Sequence, residues 1–511
     1  MRVLRVLIML GILFCSALEA NCASIIPICR NLRKNVKNCL PHNIFFATYS
    51  PTNNIMKYKV DRGPIGEIQE ANAKNYTDEI LGLWETNSGI DFQSVGDGFI
   101  PVNVTKSNYR AYLNNRRPLG YSPVIWDENG TLMNDLFGEG ARFNVLGFAG
   151  STFFKTRKKL AQGIIESQSV FNGYLFNGDH TGDDSASVIN NFKSTILHEF
   201  GHMFGLDHSQ GGDLETYLNF NPETDNPEIL TNIPIMFPVA ANPIVALQQD
   251  DISAIRLGYP KGDEANLYGT ITGVLKQLGS GVKGANVIAY PIDDANPFKN
   301  AVACPSDVDG KGLGKFTLPN LVPGNYIIKT EPINENFVGG SSVGIHNPIY
   351  PLVLLNGSHG FYMGEGELPL RSSDLNTGIA QAFKINVEAG STTNINFDLD
   401  LATFKIHSKL SNSLIVLKKR KKRVINLVIK NFYPGQLRSL NLSTDYPDLI
   451  EFLPARVDFR KKYITIKVRL DSYLDFLSQF PALNNGSIYI PIEIEDLNTG
   501  YILDTQELWL F

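Results

Sequence analysis

The most regular pattern in this chain is a stripe: Ile189, Phe192, Ile196, Phe200 and Met203 recur at steps of three and four. That is the period of a helix burying one face. It predicts a helix over about 183–204, with Asp183, Asp184 and Ser185 as N-cap candidates and Gly205 as a left-handed C-cap. A looser apolar side from Ile68, Ala71, Ala73, Ile80, Leu81 and Trp84 predicts a second helix around 67–84, and 247–257 reads as a third. Strand-like text at 44–49, then short apolar runs between 101 and 167 broken by Gly, Asn and Asp, predict strands and loops. After Tyr259-Pro260-Lys261-Gly262 the period changes. Segments at 268–274, 286–290, 315–318, 325–329 and 394–399 alternate like strands, and 402–511 does so again with turn signals. The expected architecture is multidomain: an α+β domain over 44–262, an all-β sandwich over 265–400 and a second over 402–511.

Composition fits this division. A chain of 511 residues with 43% hydrophobic and 19% charged residues reads as about three folded domains rather than a disordered polymer. A net charge of -5 gives nucleic-acid or membrane-surface binding no support. Arg2 and Arg5, the apolar run Val6 to Phe14 and small residues up to Ala20 predict a signal peptide over 1–20, and with it export to the extracellular space or the cell-envelope surface. The run is too short to span a bilayer, and no later one is long enough. A short cysteine-containing segment follows over 21–43. Cys22, Cys29, Cys39 and Cys304 remain after removal of the leader and allow three disulfide pairings, Cys29 with Cys39 being the most local. Cys22 just beyond the cut leaves a lipid anchor as an alternative.

The chemistry concentrates on the main helix and the turn after it, His198-Glu199-Phe200-Gly201-His202-Met203-Phe204-Gly205-Leu206-Asp207-His208. His198 and His202 are four apart, so they share a helix face opposite the apolar stripe and can reach one Zn²⁺. A residue ten positions on would lie about 15 Å along the axis. His208 can therefore join them only if the chain turns back, which Gly205 permits. Three protein ligands leave a fourth position for water, the pattern of a catalytic site. Glu199 is offset by about 100° from His198 and can deprotonate that water without ligating the metal. His-Glu-x-x-His alone arises by chance in roughly one such chain per hundred; the added glycine and third histidine lower this about a thousandfold.

At these residues the chain resembles the metzincin zinc metallopeptidases, and among them the matrixins (matrix metalloproteinase-type catalytic domains). The carriers are the long motif with Asp207-His208-Ser209, then Ile235-Met236-Phe237-Pro238, then Asp250-Asp251-Ile252 leading to Leu257-Gly258-Tyr259. The resemblance implies an α+β zincin-like catalytic domain over 44–262 and a secreted zinc-dependent endopeptidase acting on extracellular proteins and peptides. It further implies Met236 as the Met-turn residue, a closing helix at 247–257, and an extended substrate along an edge strand at Gly163–Phe171. The segment 265–400 resembles transthyretin-like, carboxypeptidase-regulatory-like modules through Gly269-Thr270-Ile271-Thr272-Gly273, Gly284-Ala285-Asn286-Val287 and Leu321-Val322-Pro323-Gly324-Asn325-Tyr326. That likeness implies a spacer or adhesion module.

Weaker signals stand beside these. Asp127-Glu128-Asn129-Gly130 with Asp135 resembles part of a Ca²⁺ loop, against a metal-free Asx-Gly turn. Asp179 to Asp184 reads as an N-capping loop, with a second ion as the alternative. Lys418–Arg423, six basic residues in a row, reads as an exposed hairpin or an acidic-surface or glycan contact. The reading from another functional class is a non-catalytic, metal-stabilised adhesion protein, which would need the histidines but not Glu199.

Overall fold

The structure is a computed structural model that describes residues 27–29, 44–46, 48–49, 53–113, 118–155, 160–178, 185–209, 211–212, 227–238, 245–277, 280–282, 284–307, 313–333, 360–365, 367, 369–370, 372 and 374–399. In the C-terminal part it describes 406–410, 414–415, 423–431, 438–444, 447, 450–454, 456–459, 463–471, 488–496 and 501–510. The leader, residues 179–184 and 418–422 lie outside the described residues, with the expectations placed on them. Two compact units divide the chain, one reaching to Phe397 and the other spanning Asp398–Phe511 with two short segments from earlier in the chain.

In the first unit, β1 (Pro27–Cys29) pairs antiparallel with β2 (Ile44–Phe46). The main N-terminal sheet follows. Its strands are β3 (Ile55–Val60), β4 (Asp91–Phe99), β5 (Ser122–Asp127), β6 (Gly147–Lys155) and β7 (Leu160–Asn172), in the order β4-β3-β5-β7-β6. The first four strands in that order run parallel and β6 returns antiparallel at the edge. In that order β7 is interior, with β5 paired to its Ser169–Asn172 end and β6 along its other side, so the edge expected at Gly163–Phe171 is corrected to β6. Helix α1 (Glu70–Asn87) crosses between β3 and β4, α2 (Thr131–Phe137) follows β5, and α3 (Ser185–Met203) carries the apolar stripe. Phe192, Ile196, Phe200 and Met203 are completely buried in one core with Trp84, Trp126 and Phe171. The expected third helix is Gln249–Gly258.

One buried carboxylate organises the parallel part of this sheet. Asp61, completely buried at the end of β3, accepts from Arg62 N (2.7 Å) and Val104 N (2.9 Å) on one oxygen and from Trp126 N (3.1 Å) on the other. Burial raises its pKa to about 6, against those donors. A carboxyl raised in the folded state stabilises fully below its unfolded value, and that contribution is lost as pH rises through about 6. Asp61→Ala orphans three N–H groups and is expected to cost about 2–3 kcal/mol. Urea midpoints should show this penalty larger at pH 5 than at pH 8, by about 1 kcal/mol.

The rest of the first unit is a two-sheet sandwich. One sheet joins β8 (Gly269–Gln277), β9 (Ser280–Gly281), β12 (Lys315–Leu321) and β16 (Thr392–Asp398). The other joins β10 (Ala285–Pro291), β11 (Val302–Pro305), β13 (Gly324–Pro332), β14 (Gly360–Phe361) and β15 (Ile385–Val387). Cys304 on β11 is disulfide-bonded and buried; the side chains of the other four cysteines lie outside the described residues. The second unit holds two more sheets. One is β17 (Ile406–Leu410), β19 (Arg423–Asn431), β23 (Tyr463–Leu470) and β21 (Ile450–Leu453). The other is β18 (Leu414–Ile415), β25 (Tyr501–Leu510), β24 (Ile488–Asp496), β20 (Arg438–Ser443) and β22 (Arg456–Phe459).

The fold class expected from the sequence, an α+β metzincin (zincin-like) domain followed by two sandwiches, is corrected to a mainly β chain. Among the described residues there are 25 strands and six α-helices, and only α1, α3 and Gln249–Gly258 exceed two turns. The helical stripe is strong enough to dominate a sequence reading, yet it covers a small fraction of a chain whose other segments alternate with period two.

Candidate metal centre

Helix α3 ends where the sequence requires. Gly205 takes φ +93°, its N–H donates to His202 O (3.1 Å), and Leu206 N donates back to Gly201 O (2.9 Å). A β-carbon disfavours that conformation, so glycine is what lets the chain reverse beneath the last turn. The reversal delivers His208 to the two helical histidines. His202 Nε2 and His208 Nε2 are 3.1 Å apart, and His208 Nε2 and His198 Nε2 3.2 Å. Among the described residues this is the one group of three or more His, Cys, Asp or Glu side chains with converging donor atoms.

The outward nitrogens are fixed as well. His198 Nδ1 lies 2.6 Å from Ile235 O and His202 Nδ1 lies 2.8 Å from Leu206 O. A carbonyl can only accept, so each Nδ1 carries the proton and each Nε2 presents a lone pair. All three rings are buried, at 3–8% exposure. Burial holds His198 below the ordinary imidazole pKa, and burial together with His198 takes His202 down to about 3. Neutral imidazoles are the ligating form. Ligands at 2.0–2.1 Å in a tetrahedron stand about 3.3 Å apart, and the two distances to His208 Nε2 match this within a few tenths of an ångström. The donor set therefore fits Zn²⁺.

Glu199 meets the edge strand β6. Its carboxylate accepts from Ala149 N on β6, and burial raises its pKa to about 8. A Cβ at Gly147 would sit 3.2 Å from Glu199 Cγ, so that glycine gives the carboxylate its space. Met236 lies under the helix: a Cβ at Gly201 would fall 2.2 Å from Met236 Sδ. A glycine inside a helix costs about 1 kcal/mol relative to alanine, and this close approach is its reason. Met236 O also accepts from Ser209 N (2.9 Å), next to the third histidine.

Sequence reasoning missed Asp251 as a supporting residue. Its two oxygens accept from Ile235 N and Met236 N (3.0 Å each), and one also accepts from Gln248 N (2.9 Å). One carboxylate thus ties the Ile235-Met236 turn to the start of Gln249–Gly258, and Ile235 in turn orients His198. The sequence offered Asp251 only as part of the Asp250-Asp251-Ile252 run, an acidic pair opening a helix that also fits ordinary capping. The residues read as a possible calcium site each have a protein partner. Asp127 accepts from Met133 N (2.8 Å) at the start of α2, Asn129 accepts from Thr131 N (3.3 Å), and Asp135 takes Tyr109 OH (2.6 Å) with Lys106 and Arg110 beside it. Their oxygens serve capping and surface pairing instead.

No family model matches the chain, and no curated protein matches it. Solved structures resemble it only at low identity and low TM-score. A C. elegans MSP family member shares 6% identity at TM-score 0.15, covering 20% of this chain and 95% of its own. The major pilin subunit BcpA of Bacillus cereus shares 8% at 0.18, covering 47% and 68%, and the D0-D1 domain of intimin 10% at 0.16, covering 48% and 98%. The metzincin, matrixin-like resemblance and the transthyretin-like one are corrected to the coarser statement that the chain's own elements carry: a mainly β chain, with 25 strands against six α-helices among the described residues. A ligand constellation spanning eleven residues can recur on different folds, so it defines a site and not a family.

Proposed function

We propose that this chain is an exported zinc-dependent endopeptidase. The observation that carries the reading is the convergence of three buried histidine Nε2 atoms next to the carboxylate of Glu199. His198, His202 and His208 would hold the ion. Zinc held there supplies a Lewis acid for the scissile carbonyl and makes water acidic enough to ionise near neutral pH. Glu199 would act as the general base toward water at the site and as the proton donor to the departing amine, a route that needs no covalent acyl-enzyme. Ala149 N keeps the carboxylate in place for both transfers. Substrate recognition falls to the free edge of β6, where an extended peptide can add as a further strand within reach of Glu199.

The non-catalytic adhesion reading requires the histidines alone. A buried carboxylate raised by desolvation lowers stability, and a scaffold has no use for it. Export agrees with the disulfide at Cys304, since such bonds persist in oxidising compartments. No helix among the described residues is long and apolar enough to cross a membrane. The test is cleavage of an unfolded protein with and without a strong chelator. Cleavage should stop on chelation and return when Zn²⁺ is restored; cleavage that continues in chelator overturns the zinc reading.

A further inference from the structure

The sequence presents the sandwich over 269–398 as a spacer, yet it packs in one compact unit with the histidine site. The contacts are specific. Gln249 Nε2 donates to Asn320 O (2.8 Å), Ser253 Oγ donates to Pro319 O (2.7 Å), and Asn320 Nδ2 donates to Ser253 O (3.1 Å). These three side chains and three carbonyls belong to Gln249–Gly258 and β12. On the opposite side, Tyr290 OH on β10 donates to Gly212 O (3.2 Å), and Asn296 Nδ2 donates to Asn232 Oδ1 (2.8 Å). These last two contacts reach the segments just after His208 and just before Met236.

At the centre is Asp250, 3% exposed. One oxygen accepts from Ala303 N on β11 (2.7 Å), and the carboxylate is also bonded by the Ser209 hydroxyl. A Cβ at Gly211 would lie 3.2 Å from the Asp250 carboxyl carbon and 3.5 Å from Ala303 Cβ, so the chain after His208 is pressed between the two. Ser209 is next to the third histidine, and its own N–H is taken by Met236 O. The next residue of the helix, Asp251, holds the Ile235-Met236 turn. Adjacent carboxylates therefore brace the two sides of the histidine triangle, and one of them is completed only by a backbone N–H from the sandwich.

We propose that Asp250 is a positioning residue that locks His208 through Ser209, with Ala303 of the sandwich supplying the donor that keeps it in place. The sandwich is thus a working part of the metal centre. The proposal rests on the zinc reading of the histidines but does not require that the bound metal cleaves peptides.

The test uses the full chain loaded with Co²⁺, whose visible spectrum reports ligand number and geometry, and Zn²⁺ release to a chromophoric chelator. Asp250→Ala is expected to release zinc at least tenfold faster and to change the cobalt spectrum, with an unaltered far-UV circular dichroism spectrum. Asp250→Asn, which keeps an acceptor for Ala303 N, is expected to recover part of both. A variant from outside the site, Gln249→Ala combined with Ser253→Ala, loosens the same face and is expected to release zinc about threefold faster even if Asp250→Ala does not fold. Wild-type release and spectrum in every folded variant overturn the proposal. Wild type that binds no cobalt overturns it together with the zinc reading, whereas wild type that binds cobalt and cleaves nothing overturns only the peptidase reading.

Discussion

Glu199→Gln should lower peptide hydrolysis by at least about 10³-fold while the protein keeps its full zinc content. Glutamine matches glutamate in shape, and its carbonyl oxygen can still accept from Ala149 N, so the packing against Gly147 survives. What is lost is a group able to take and return a proton. Nothing else described within the triangle can substitute: the Nδ1 atoms of His198 and His202 face carbonyls, and the three Nε2 atoms face one another. Peptide turnover and bound zinc, measured on the same sample, separate this from simple loss of the metal. Full activity in the variant would remove Glu199 from the mechanism and revive the binding-scaffold reading.

His202→Ala should weaken zinc binding by well over ~100-fold, a loss exceeding that of a typical supporting group around a metal. The His202 ring packs edge-on against both other imidazoles. Its Nε2 is 3.1 Å from His208 Nε2, and its Nδ1 is pinned by Leu206 O at the helix end. Alanine leaves two donors of three and a cavity in a buried site. Competition against a chromophoric chelator measures the change directly. Stoichiometric, tight zinc in this variant would show that the ion is held elsewhere.

The helical stripe was legible because each of its residues answers one question: which side of a cylinder faces the core. Ile196, Phe200 and Met203 are completely buried, and the helix ends within two residues of its predicted limits at both ends. The ligands and base were legible because their spacing is local. Beyond the local range the reading failed in definite ways. It placed the substrate edge on β7, since strand order in a sheet is set by long-range pairing that alternation does not encode. It left Asp127, Asn129 and Asp135 between a shared ion and a metal-free turn, because capping and surface pairing use the same residue types in the same spacing. It carried a short motif up to a family, and the architecture proved mainly β.

What the sequence determined by itself was the main helix, its stop at Gly205, and the set of His198, Glu199, His202 and His208. Each depends on neighbours within about ten residues, where backbone geometry alone fixes relative position. What only the tertiary structure decided was the orientation of those groups. The carbonyls of Ile235 and Leu206 choose the imidazole tautomers, Ala149 N holds the base, and Asp251 and Asp250 brace the turn and the third ligand. Hydrogen-bond partners that are tens of residues apart in the chain meet only when sheet and helix pack. In this protein that packing extends to a strand of the following sandwich.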